Sequence, residues 1–115
     1  MNREAIYSAL FTRLSSIDGL KTKSRILKHW NDVPSEQRPA LFMSQGSETP
    51  TTVTGEPQKW LLMVDVYVYV QTDGSTPPGS LLNPIIDAIE AAFPLHPITG
   101  KHTLDATGVE WARIE

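Results

Sequence analysis

Residues Lys59 to Gln71 read KWLLMVDVYVYVQ and alternate with a period of two. Trp60, Leu62, Val64, Val66, Val68 and Val70 fall on one side, and Leu61, Met63, Asp65, Tyr67 and Tyr69 on the other. The first set is apolar and rich in β-branched residues, as expected of a strand buried against helices. The second set mixes Leu and Met with two tyrosines and a carboxylate, a composition suited to a surface that is wet on one side and apolar on the other. At roughly 3.3 Å per residue such a strand runs to about 35 Å, long for a small domain. A long strand with two occupied faces in a short chain predicts a subunit of an assembly.

The chain has 115 residues, which predicts a single domain over 1–115. A chain of this size buries about two-thirds of its unfolded surface, enough for one core. A net charge of −3 and the absence of a basic stripe argue against a general nucleic-acid binder. With no cysteine there is neither a disulfide nor a thiolate metal site. The start, MNREAIY, carries both signs of charge and does not resemble a signal peptide. No run approaches the ~20 apolar residues of a membrane helix. A cytoplasmic product with no membrane association is the expectation.

Helical spacing of Ile6, Leu10, Leu14 and Ile17 predicts a helix over 2–17, with Asn2 as N-cap and Gly19 as the left-handed stop. Ser24 to Trp30 is expected as a first strand, Asn31 to Arg38 as a turn-rich loop, and 39–45 (PALFMSQ) as a second strand opened by Pro39. Gly46 to Gln58 is polar, lacks periodicity apart from Val53, and is expected as a mobile or partner-held loop. After the 59–71 strand, the breaker Thr72 to Gly79 leads into a helix over about 80–93 carrying Leu82, Ile85, Ile86, Ile89 and Phe93. Its start is open between Ser80 and an Asn83-Pro84 cap. Pro94 to Thr99 is irregular, and 101–106 and 109–114 are candidates for a final pair of short strands. The expected architecture is α+β: a single mixed sheet of four or five strands with two helices on one face, in the order αβββαβ(β).

Chemistry-bearing motifs are sparse. There is no phosphate loop, GxSxG, HExxH or EF-hand pattern, and neither an enzyme nor a cofactor is expected. His96, His102 and Asp105 lie in a Pro- and Gly-broken segment without ligand spacing and are better read as exposed loop than as a metal site. His29 reads as a surface or interface residue. Asp87 and Glu90 read as a solvated helix face, since paired acids do acid/base work only when desolvated. Asp65 stands out at mid-strand. If buried it needs a cationic partner, either Arg25 on the neighbouring strand or an arginine from another subunit. The candidate interface set is therefore Arg25, Val53, Met63, Asp65, Tyr67 and Tyr69.

Several segments together resemble the tail-terminator and tail-completion proteins of long-tailed phages, the minor tail protein U-like group. The resemblance rests on REAIYSALFTRL, on SRILKHWNDV with its SR-x-x-x-x-W pattern, on RPALFMSQ and KWLLMVDVYVYV, on SLLNPIIDAIEAAF with L-N-x-x-x-D-A-I, and on the closing TLDATGVEWARIE. It covers nearly the whole chain. It implies an α/β sheet fold and a hexameric ring at the head-proximal end of the tail tube, which stops tube polymerisation and offers the docking surface for the filled head. The implied partners are other copies of the chain, the tail tube protein and a head-completion or connector protein, with DNA passing through the lumen unbound. The implied location is the virion tail, reached from the host cytoplasm during assembly. A head–tail connector or stopper ring has a similar size. From a different class, a small ligand-binding α+β domain with Tyr67 and Tyr69 lining a pocket fits the same residues. A ring uses heterologous contacts and therefore needs two different patches on each subunit. A weakly acidic chain suits a lumen that must not hold DNA.

Overall fold

The computed structural model describes residues 2–95, 97, 98 and 104. Helix α1 spans Arg3–Ser15. It begins where expected, because the Asn2 side chain accepts from Ala5 N at 3.1 Å and satisfies one of the free first-turn donors. It ends short of residue 17. Ser16 closes it, its N–H reaching back to the Arg13 carbonyl and the Ile17 N–H to that of Leu14. Gly19 then turns the chain at φ +86°, a conformation that costs a side-chain-bearing residue energy.

Three strands form one mixed sheet in the order β1-β2-β3: β1 Thr22–Ser24, β2 Ala40–Thr51 and β3 Lys59–Tyr69. β1 runs parallel to β2 and pairs only with Ala40 to Phe42. β2 and β3 form an antiparallel hairpin running from Ala40↔Tyr69 to Thr51↔Lys59. The expected four or five strands reduce to three among the described residues, and most of 101–106 and all of 109–114 lie outside those residues.

Two strand boundaries differ from expectation. The Ser24 to Trp30 strand stops at Ser24, whose Oγ accepts from Ile26 N and bends the chain out of the sheet. A 3-10 turn over Trp30–Asp32 follows, with His29 Nδ1 accepting from Asn31 N. In the other direction, 46–51 is not loop but the second half of β2, and the connection shrinks to 52–58. The polar Thr-rich run is compatible with a strand because this half of the hairpin is exposed, every residue from 49 to 61 facing solvent. A bulge admits it. Between Gln45↔Val64 and Glu48↔Leu62, Gly46 and Ser47 stand opposite the single residue Met63. Glycine suits that site, since a Cβ on Gly46 would lie 3.2 Å from the Met63 carbonyl oxygen.

Helix α2 spans Pro78–Ala91 with Pro78 in the first turn, where a missing N–H costs nothing. The Asn83-Pro84 start is thereby excluded, and Pro84 sits inside the helix. Both helices cover one sheet face. Ile6, Tyr7, Leu14 and Ile17 pack with Leu41, Met43, Phe93 and Leu104, joined by the partly buried Leu62, Val64, Val66, Val68, Ala88 and Ile89. The alternation of β3 is thus assigned to the correct face, but β3 is not the most buried strand. Ala40 to Met43 are at most 1 % exposed, whereas every helix-facing side chain of β3 keeps some exposure. β2 is flanked on both sides where it enters the sheet, and β3 has β2 as its only partner among the described strands.

Candidate interaction surface

The sheet face opposite the helices divides into a covered half and an open half. At its lower end the 28–33 segment folds over it. Val33, Ala40 and Phe42 form a small second core with Tyr69 packed against it. The Phe42 and Tyr69 rings are 5.5 Å apart, and Tyr69 Oη donates to the Lys28 carbonyl at 2.8 Å. Arg38 fastens the same segment by donating to the carbonyls of Trp30, Val33 and Val70. These charge-assisted bonds satisfy carbonyls that a loop over a sheet otherwise leaves unpaired.

Above Phe42 nothing among the described residues covers the face. Tyr67, Met63 and Leu61 are 38 %, 44 % and 40 % exposed, and Asp65 stands among them. The opposing β2 residues are Ser44 against Asp65 and Thr49 against Leu61, small side chains that leave the larger ones standing proud. Ser47 Oγ lies 3.4 Å from Met63 Sδ. The result is a strip of apolar and aromatic groups around one carboxylate, on a regular strand.

Of the six candidate interface residues, Met63, Asp65 and Tyr67 come together on this strip. Tyr69 shares the face but is committed to Phe42 and Lys28, so it belongs to the fold. Val53 is exposed in the hairpin turn, where its carbonyl accepts from Glu56 N. Arg25 does not partner Asp65. Its guanidinium lies over α1, hydrogen-bonded to Glu4 and, at 3.0 Å, to Gln45 Oε1, whose neighbour across the hairpin is Val64 of the helix-facing set. Those Arg25 bonds, with a smaller share from Ser8, hold the Glu4 carboxyl below its usual range. Asp65 is exposed and has no ion-pair partner among the described residues. Burial, the premise for requiring a partner, does not apply to it.

Sequence reasoning missed a second exposed apolar group. Ile26 and Trp30 are 74 % and 56 % exposed, with Leu27 between them. Reading 24–30 as a strand hid it. The available signal was the Ser and His flanking the segment, both of which accept backbone N–H groups in turns.

Little else resembles a site. Among the described residues no group of three His, Cys, Asp or Glu side chains is placed to hold a metal, and His96, His102 and Asp105 lie outside them. No helix of the described residues is long and apolar enough to cross a membrane. One shallow cleft of about 450 Å³ lies over Gln71 to Leu81 and another of about 440 Å³ over Asp87 to Leu95, and neither includes Tyr67 or Tyr69. A scan against protein-family models, a search of curated proteins and a search of solved structures each find no match to this chain.

Proposed function

We propose that this chain is a structural assembly protein of the phage tail-terminator kind. In this reading it forms a hexameric ring at the head-proximal end of the tail tube, ends tail polymerisation and presents the surface on which the filled head docks. It catalyses nothing, binds no cofactor, and contacts the tail tube protein on one side and a head-completion protein on the other.

One observation carries the reading: the open strip of Leu61, Met63, Asp65 and Tyr67 on the sheet face that the helices do not use. A monomeric domain of this size has every reason to cover such a strip. Tyrosine and methionine are enriched where proteins meet, because each places a large apolar body at modest entropic cost. The strip lies on a regular hairpin, a stiffer platform for a repeated contact than a loop. The resemblance in segment order supplies the kind of assembly.

The test is electron microscopy of phage particles from cells in which the gene for this chain is deleted. The expected result is tails of uncontrolled length without heads. Tails of normal length that fail to join heads move the reading to a connector ring. Normal, head-joined tails remove it.

A further inference from the structure

The ring reading requires two different patches on each subunit, and the strip on β3 is one face only. Charge and exposure single out a further pair. Residues 19–31 carry Lys21, Lys23, Arg25 and Lys28 and no acid, whereas residues 60–100 carry Asp65, Asp73, Asp87 and Glu90 and no lysine or arginine. Two of the basic groups are occupied within the fold: Lys23 donates to the Ser15 carbonyl, and Arg25 holds Glu4. The Lys28 ammonium has no ion pair among the described residues, and it sits in the turn that exposes Ile26, Leu27 and Trp30. On α2, Ile86 is 52 % and Leu95 59 % exposed, and with Asp87 and Glu90 they border the shallow cleft of about 440 Å³ at the helix C-terminus. Neither acid has an ion-pair partner among the described residues. Arg13 is directed to the Ala92 carbonyl at 2.9 Å.

The two patches lie on opposite sides of the sheet. α2 covers the helix face through Ala88, Ile89 and Phe93, and the Lys28–Val33 segment folds over the other face onto Tyr69 and Phe42. We infer that the Lys28–Trp30 turn of one copy docks on the Asp87–Leu95 cleft of the next copy, head to tail. Trp30 supplies the anchor and Lys28 the charge that meets Asp87 and Glu90. The occupant is a second copy of this chain because both halves of a complementary pair are present on one molecule, on opposite sides of its sheet. Each copy therefore offers the next what it receives from the previous one, the heterologous contact that a ring requires. A central tryptophan with a charged rim is the usual distribution of energy in such contacts.

The inference rests on the ring reading, and the experiment separates the two. The wild-type chain has no cysteine, so K28C and E90C each introduce a single thiol on a clean background. Both sites are exposed, and circular dichroism checks that each variant folds. Each variant alone and an equimolar mixture are oxidised, and the wild-type mass is measured under native conditions. The expected result is a disulfide-linked dimer in the mixture, only traces in either single variant, and a wild-type mass that is a multiple of the chain mass. Strong self-cross-linking of one single variant, with no mixed K28C–E90C dimer in the mixture, identifies a symmetric contact and overturns the head-to-tail pairing. An assembled wild type whose mixture does not cross-link overturns the pairing and leaves the ring reading standing. A wild type that stays monomeric, with no cross-link, removes both.

Discussion

Arg3 donates from Nε to both carboxylate oxygens of Glu48, each at 2.9 Å, and so ties the start of α1 to the half of β2 that lies beyond the bulge. The same guanidinium lies 5.2 Å from the centre of the Trp60 ring, on the opposite strand of the hairpin. Tyr7 lies next to this clasp with its hydroxyl buried and without a hydrogen-bond partner among the described residues. Burial raises its pKa first, and the nearby Glu48 charge acts in the same direction. The clasp fastens the exposed half of the hairpin to α1, where a two-stranded ribbon alone is marginally stable and the bulge is a natural place for it to bend.

Arg3→Ala is expected to change how the hairpin moves more than how the domain folds. The pair is partly exposed, with side-chain exposures of 47 % and 23 %, so its contribution to stability is about 1 kcal/mol or less. Amide exchange over 46–62 is expected to accelerate while exchange in 40–43 stays unchanged. A uniform acceleration across the sheet would show that the clasp supports the whole fold instead.

The centre of the core is β2. Leu41 is completely buried, and Leu41→Ala is expected to cost about 2–5 kcal/mol in urea unfolding. Val66→Ala on β3 is expected to cost less, because that side chain packs against the core from a partly exposed position. The reverse order would return the centre of the core to β3.

The face that β3 turns to the helices was legible in the sequence because alternation over eleven residues leaves no other register for the apolar set. Which strand is central was not legible. Period two reports the two faces of a strand and says nothing about its neighbours, and the four residues Ala40 to Met43 are too few to advertise burial on both faces. The extension of β2 through 46–51 was invisible for a related reason. That half is paired but not buried, so it carries no apolar pattern, and a one-residue bulge breaks what alternation there is. Met63, Asp65 and Tyr67 were recognisable as a surface from composition alone. Tyr69 and Arg25 were misplaced because their partners, the Lys28 carbonyl and Glu4, sit 41 and 21 residues away, where spacing carries no information.

The shortened hairpin connection makes a cleavage prediction. Elastase is expected to cut after Val53, in the exposed 52–58 turn, and to spare Ser47, which is held in β2. Cutting at both sites at equal rates would return 46–51 to the loop.

Asp73 provides a pH test. Its Oδ1 accepts from Ser75 Oγ, Ser75 N and Thr76 N in the turn before α2, and these bonds, the Ser75 hydroxyl first, lower its pKa to about 2 from 3.8. A carboxyl depressed in the folded state stabilises above its unfolded pKa, so its contribution is intact above about pH 4 and is lost as pH falls from 3.8 towards 2. Carbon-13 titration of the carboxyl is expected to give a midpoint well below 3.8, returning towards the ordinary value in a Ser75→Ala variant. An ordinary midpoint in the wild type would show that the turn does not hold the carboxylate.

The central claim is that the open strip on β3 is an assembly surface. Met63→Ser with Tyr67→Ser truncates two of its exposed side chains and leaves Phe42, Tyr69 and every helix-facing residue untouched. Each lost anchor is expected to weaken association by about 1–2 kcal/mol. The decisive measurement is the native mass of the wild type and of this double variant at the same concentration, with circular dichroism confirming equal folding. The account predicts a hexamer for the wild type and a smaller mean mass for the variant, whose copies keep only the contact of the Lys28–Trp30 turn on the Asp87–Leu95 cleft. Equal masses for the two folded proteins would contradict it.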